Sequence, residues 1–273
     1  MTSQSDKVTA FHRLHDEGCF VIPNPWDVGS AVLLEDMGFK ALATTSAGFA
    51  WSIARPDQGV ARAEMLEHLG EIANAVEVPV NADFEGGFAD DPDGVAESVK
   101  LAAATGIAGL SIEDSTRGAD EPLYPFDLAV ERVRAARSAI DESGSGVLLT
   151  GRSEGFVVGR PDLEETIRRL QAYAEAGADC LYAPFIDTPE QISAIVAAVA
   201  PKPVNLLVHK PFITAAAAAE LGVRRISVGG TLARVAQAAF IAAAQEIAAD
   251  GTFTRFADLP NNAAVNAAFS QRD

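Results

Sequence analysis

The chain predicts a (β/α)8 barrel, and three observations carry that expectation. Its 273 residues suit one such barrel. Strand, short loop and helix alternate eight times along it. The strands are short apolar runs, as parallel strands buried on both faces should be. No composition shift or Pro/Gly-rich linker divides the sequence, so one domain over 1–273 is expected, with an N-terminal helix (7–17) and a C-terminal tail (252–273).

The units read in order. FVIPN (20–24) precedes a helix over 26–38 that stops at Gly38, and ALATT (41–45) precedes one over 61–76 with apolar residues at helical spacing. PVNAD (79–83) leads to a helix over 91–106 that opens on Asp–Pro and ends at a glycine. GLSIED (109–114) is followed by a helix over 128–140. GVLLTGR (146–152) is followed by one over 160–177, where Asp162 and Glu165 have capping-box spacing. CLYAP (180–184), PVNLLV (203–208) and RRISVGG (224–230) precede helices over 188–200, 214–222 and 231–251. The last helix is long and Ala-rich, and the tail carries spaced Phe and Leu. Both features suit packing on another subunit, and a tail lying on its own barrel explains them equally well.

A net charge of −17 with no offsetting basic stripe disfavours nucleic acid and anionic membranes. Cys19 and Cys180 are far apart and read as small buried hydrophobes. The N-terminus has no apolar signal region, and no apolar run reaches membrane-spanning length, so a cytoplasmic protein is expected. The sequence has no GxGxxG after a strand and no GxxxxGK[ST], GxSxG or HExxH, which removes support from nucleotide-cofactor and serine-hydrolase readings.

Barrel enzymes place their chemistry at the C-terminal ends of the strands. There the sequence places Asn24, Trp26 and Asp27; Thr44 to Gly48; Asp83 and Glu85; Glu113 and Asp114; Arg152 and Glu154; Pro184; Asn205 and His209; and Gly229 and Gly230. Carboxylates on adjacent strands repel unless a cation or an arginine lies among them. Asp83, Glu85 and Glu113 therefore read as ligands of Mg²⁺, with Mn²⁺ as a substitute; helix caps and rim salt bridges are the alternative, which Glu85 and Asp114 could each be, whereas Asp83 and Glu113 stand at matched heights on neighbouring strands. Arg152 reads as the fork for a substrate carboxylate or the partner of Glu154 or Glu113. The segment TTSAGFAWS (44–52) reads as a small-residue loop whose Ala47 and Gly48 N–H groups suit an oxyanion, although a tight turn is the simpler explanation. Asp57 borders the mouth, and GGT (229–231) suits phosphate or a plain turn. Lys210 is the lysine near the rim suited to Schiff-base work, although its neighbour Pro211 makes a plain loop residue the simpler reading. His12, His15 and His68 fall on helices outside the barrel and read as solvated or structural.

In this order, TTSAGFAWSIARPDQG, VPVNADFEGGF, LSIED and GRSEGF resemble the isocitrate lyase/phosphoenolpyruvate mutase superfamily from about residue 10 to 250. The resemblance implies a Mg²⁺-dependent barrel, dimerised by a swapped last helix or tetrameric. It works beside a 2-oxo or 2-hydroxy acid through an enolate. It matches Asp83 to the direct metal ligand, and Glu85 and Glu113 to carboxylates holding the metal's waters. Ser46, Ala47 and Gly48 match the loop that binds substrate oxygens. Asp57 matches a carboxylate near the reacting group, Arg152 the substrate-carboxylate arginine, and Asn205 a polar substrate contact.

The departures bear on the reaction. Asp83-Phe84-Glu85 stands where relatives have Asp-x-Asp, and Pro184 stands where the lyases have Glu and the mutases His. The loop 115–126 carries neither the lyases' Lys-Cys-Gly-His segment, whose Cys donates a proton, nor the mutases' Asn. Its polar groups are Tyr124, a stand-in proton donor, and Arg117, for a distal anion; surface loop residues are the simpler reading of both. The expected activity is Mg²⁺-dependent carbon–carbon cleavage or decarboxylation of a small anionic carboxylate. Phosphonopyruvate-type P–C cleavage, a Schiff-base aldolase through Lys210 and a non-catalytic anion-binding barrel are the alternatives.

Overall fold

The computed structural model describes residues 2–116 and 120–270. Helix α1 (Gln4–Asp16) precedes β1 (Phe20–Ile22), α2 (Val28–Asp36), β2 (Leu42–Ala43), α3 (Ser46–Ser52), α4 (Arg62–Ala75), β3 (Val80–Asp83) and α5 (Pro92–Ala103). Then come β4 (Gly109–Glu113), α6 (Phe126–Ser143), β5 (Leu148–Arg152), α7 (Leu163–Glu175), β6 (Cys180–Tyr182) and α8 (Pro189–Val199). The chain finishes with β7 (Val204–Leu207), α9 (Ala215–Glu220), β8 (Arg225–Ser227), α10 (Thr231–Asp250), a 3-10 turn (Thr254–Phe256) and α11 (Asn262–Ala267).

The eight strands are parallel, in the order β1-β8-β7-β6-β5-β4-β3-β2. The expected barrel is therefore the observed one. Its seam between β1 and β2 is held by the Ala43 N–H donating to Pro23 O at 3.0 Å. Asn24 spans the same seam: its Nδ2 donates to Thr44 O at 2.8 Å, and its Oδ1 accepts from Val228 N and Gly229 N.

Strand side chains alternate with period two. Leu110, Ile112, Leu149, Leu181, Leu206 and Ile226 are buried in the apolar core. The other parity brings Asn81, Asp83, Ser111, Glu113, Arg152, Tyr182, Asn205, Arg225 and Ser227 to a common cavity. The lumen is thus polar, where the sequence reading expected apolar burial on both faces.

Helix α1 packs against the lumen from below. A Cβ on Gly109 would lie 2.5 Å from Phe11 Cε1 and 2.7 Å from Asn81 Oδ1, so only glycine leaves room for that ring. His15, also on α1, is buried rather than solvated. Its Nδ1 pairs with Phe11 O at 2.8 Å, and its Nε2 lies 3.3 Å from Arg225 Nη1. Asp91 and Asp162 cap α5 and α7 through Gly94 N and Glu165 N, as their spacing predicts.

Candidate active site

Arg152, the last residue of β5, is the centre of the rim. Its Nη1 lies 2.7 Å from Asp83 Oδ1, and its Nη2 lies 3.1 Å from Glu113 Oε2 and 2.9 Å from Glu154 Oε1. The guanidinium carbon stands 5.0 Å from the centroid of the Tyr182 ring. Strand register brings these groups level, pairing Glu113 with Arg152 and Arg152 with Tyr182. Together they line a cavity of about 230 Å³.

One guanidinium facing three carboxylates leaves an excess of two negative charges in a place removed from water, which is costly. Burial pushes the Glu113 carboxyl up and that of Glu154 up to about 8, with Arg152 opposing both shifts. For Arg152 itself, burial is outweighed by Glu154, Glu113 and Asp83, and its pKa rises well above the ordinary range.

The second oxygen of Asp83, Oδ2, accepts from the Ser46 N–H at 2.9 Å and from the Ser46 hydroxyl at 2.8 Å. Ser46 opens α3, so the segment read as a small-residue loop is a helix. The Thr45 Oγ1 caps it by accepting from Gly48 N at 3.2 Å. A Cβ on Gly48 would fall 2.6 Å from Thr45 Cγ2, so the glycine keeps this cap in place. The expected cradle is corrected accordingly: the Gly48 N–H serves the cap and the Ser46 N–H serves Asp83. Ser46 and Ala47 line the cavity; Gly48 does not.

Glu85 is buried and holds a left-handed φ of +50°, a conformation that costs a non-glycine residue about 1–3 kcal/mol. Its carbonyl accepts from Glu113 N at 3.0 Å. The loop that follows is pinned by buried Arg132, whose Nη1 donates to Ala89 O and Asp90 O and whose Nη2 donates to Gly86 O. Glu113 Oε1 accepts from Ser115 Oγ at 2.7 Å. Asp114 turns away from the cavity and supports Glu154. Its Oδ1 accepts from Glu154 N at 2.7 Å, and its Oδ2 accepts from the Tyr173 hydroxyl at 2.6 Å and Arg169 Nη1 at 3.1 Å.

Asp57 is exposed and lines the mouth, and Pro184 lies on the wall. Asn205 Oδ1 accepts from Arg225 Nε at 2.8 Å, while its Nδ2 donates to Ser227 Oγ at 2.9 Å. Tyr124 does not line this cavity. Its hydroxyl donates to Asp90 Oδ1 at 2.5 Å and its ring stacks under Arg132, which corrects the expectation of a proton donor there. Arg117 lies outside the described residues. Lys210 is also away from the cavity, with Nζ 2.6 Å from Asp187 Oδ2. The Gly229 N–H suggested for phosphate serves Asn24. Tyr182, Arg225 and Ser227 escaped the sequence reading; the alternation of polar residues along the strands is the signal that could have found them.

Asp83, Glu85 and Glu113 offer oxygen donors and surplus negative charge to one space, which fits a hard divalent cation. Among the described residues no three His, Cys, Asp or Glu side chains stand in ligand geometry. Arg152 and Ser46 hold the oxygens of Asp83, and Arg152 and Ser115 those of Glu113.

A closed (β/α)8 barrel with acids and an arginine gathered at its C-terminal rim is the architecture of a barrel enzyme. More specifically, the chain belongs to the isocitrate lyase/phosphoenolpyruvate mutase superfamily of lyases and mutases, the family model for phosphoenolpyruvate phosphomutase matching residues 11–248. An uncharacterized Mycobacterium tuberculosis protein is 34% identical, with 81% of each chain aligned. Oxaloacetate decarboxylase of Pseudomonas putida is 30% identical over 71% of this chain and 68% of its own. Among solved structures, a Burkholderia cenocepacia protein with a general lyase/mutase description is 46% identical, with a TM-score of 0.96 over 99% of this chain and 98% of its own. 2,3-Dimethylmalate lyase is 27% identical, with a TM-score of 0.86 over 99% and 95%.

Proposed function

We propose that the protein is a divalent-metal-dependent carbon–carbon lyase or decarboxylase acting on a small 2-oxo or 2-hydroxy carboxylic acid. The observation that carries this reading is Arg152 enclosed by Asp83, Glu113 and Glu154 in one cavity. Asp83, Glu85 and Glu113 would hold Mg²⁺ or Mn²⁺, which when bound supplies charge stabilisation for an oxyanion developing beside it. Arg152 is the cation suited to the substrate's carboxylate, its fork giving paired hydrogen bonds. Glu154, fixed by Asp114, orients that fork. Ser46 holds Asp83 in place, and Ala47 faces the space where an enolate oxygen would sit. Asn205 offers a polar contact, and Asp57 lines the mouth, where the family likeness puts a carboxylate near the reacting group. Carbon–carbon cleavage leaves an enolate, and protonation at carbon completes the turnover. The relatives named oxaloacetate decarboxylase and 2,3-dimethylmalate lyase favour substrates of this size.

The test is an assay with oxaloacetate and 2-alkylmalates before and after EDTA treatment. Metal-dependent release of a keto acid is the expected result; turnover that survives EDTA sinks the proposal. P–C cleavage is the second reading, favoured by the match to the phosphoenolpyruvate phosphomutase family. Among the described residues, Arg152 and Arg225 are the only cationic side chains lining the cavity, and both are already engaged, which weighs against a phosphonate dianion. Phosphate release from phosphonopyruvate would decide for it.

The same reading includes self-association. Helix α10 buries only Ala233, while Val235, Phe240 and Ile241 on it, and Phe253, Phe256 and Leu259 beyond it, are exposed. So large an apolar face on the eighth barrel helix suits a second copy of the chain in a homodimer or homotetramer. Among the described residues, no helix is long and apolar enough to cross a membrane.

A further inference from the structure

An enolate needs a proton at carbon, and the structure narrows the groups that can deliver it. Among the described residues, no Cys, His or Lys lines the cavity; of its carboxyls, Asp83, Glu113 and Glu154 are held on Arg152, and Asp57 stands exposed at the mouth. Its serine and threonine hydroxyls are weak acids, and several are engaged: Ser46 Oγ donates to Asp83, Ser111 Oγ to Ala82 O, and Thr45 Oγ1 accepts from Gly48 N. Tyr182 is the one phenol on the wall. It ends β6 level with Arg152, is buried, and presents its ring 5.0 Å from the guanidinium.

We propose that the Tyr182 hydroxyl is the proton donor to the enolate carbon, an assignment that rests on the enolate reading above. In the step, the Tyr182 O–H bond breaks, a C–H bond forms at the enolate carbon, and the negative charge moves from the enolate to the phenolate. Arg152 over the ring offsets that charge. The phenolate then recovers a proton from water through Ser227, which lines the same cavity and whose hydroxyl accepts from Asn205 Nδ2 at 2.9 Å. Arg225 fixes Asn205 from behind, so the relay has one orientation. Burial keeps the phenol protonated, with a pKa near 12, until the more basic carbanion forms.

Tyr182→Phe keeps the ring and removes the hydroxyl. The readout is exchange of C3 hydrogens of pyruvate and 2-oxobutyrate for deuterium in D2O with Mg²⁺, followed by proton NMR, beside oxalate affinity by calorimetry. The expected result is exchange slowed at least about 100-fold in the variant, with oxalate affinity within threefold of wild type. Ser227→Ala should slow exchange less, since water can replace its hydroxyl. Exchange within threefold of wild type in Tyr182→Phe overturns the assignment, and lost oxalate binding makes Tyr182 a structural residue instead. Absent exchange in the wild type, with both keto acids, refutes the enolate reading itself and the tyrosine's role with it.

Discussion

Arg152 Nη1 lies 2.7 Å from Asp83 Oδ1, so the arginine expected to meet the substrate and the aspartate expected to meet the metal hold one another. A cation settling on Asp83 and Glu113 competes with Arg152 for the same oxygens. Metal binding would therefore release the guanidinium for the substrate, with Glu154 remaining as its anchor. The pairing predicts an order of binding: oxalate affinity in calorimetry should be at least tenfold weaker without Mg²⁺ than with it.

Replacing Arg152 separates the two roles. Arg152→Gln removes the substrate fork and leaves three carboxylates facing one another. We expect Mn²⁺ affinity, read by electron paramagnetic resonance, to be retained or tightened, while kcat/KM falls by about 100-fold or more through loss of a charge-assisted bidentate contact. Weakened metal binding would contradict the competition.

Asp114 acts on stability through Glu154. Asp114→Asn breaks a buried ion pair with Arg169 and weakens the bonds to Tyr173 and Glu154 N. Breaking one partner of such a pair costs about 3–5 kcal/mol, to be read as a lower urea midpoint. Tyr173→Phe, which removes one hydrogen bond to a charged group, should cost about 1.5–3 kcal/mol.

Glu85 should show a trade of stability for function. Its left-handed φ is better tolerated by asparagine. Glu85→Asn is expected to gain about 1 kcal/mol in urea unfolding and to lose metal-dependent activity.

Two buried histidines set an acid limit. Burial lowers His15 to about 3, with Arg225 adding to the effect, and lowers His68 to about 4. Both folded values lie below the ordinary 6.5. Above that pH neither state binds a proton at these groups, and their contribution is fully present. As pH falls through 6.5 the unfolded chain takes up protons that the folded chain refuses. Stability then drops by about 1.4 kcal/mol per pH unit for each histidine, down to about pH 4 for His68 and about pH 3 for His15. Glu154, raised to about 8, takes up a proton on folding over the same range and opposes this slope, so the histidine contribution is read as the difference between wild type and His15→Gln in urea midpoints from pH 7.5 to 5.

Eight strand–helix units, their caps and the acids and arginine of the rim were legible because each is a local signal: apolar runs, Asp–Pro starts, glycine stops, and charges at strand ends. Helix α3 was not, because TTSAGFAWS is rich in small residues that read as a turn, and its cap depends on Gly48 packing against Thr45 and Trp26. Tyr182 was passed over inside CLYAP as an ordinary strand residue. Tyr124 looked free, yet Arg132 from the following helix and Asp90 from the preceding loop claim it.

The sequence by itself determined the barrel, its family and the strand ends at which the acids and Arg152 stand. Periodicity and end signals act over a few residues, and they survive without knowledge of neighbours. Tertiary structure decided which charges meet. Parallel register set Glu113, Arg152 and Tyr182 abreast. Barrel closure brought Asp83 within reach of an arginine 69 residues away. Asp114 turned outward to brace Glu154 instead of joining the cavity acids. Electrostatics in a buried site depends on distances between strands, and those distances exist only once the barrel has closed.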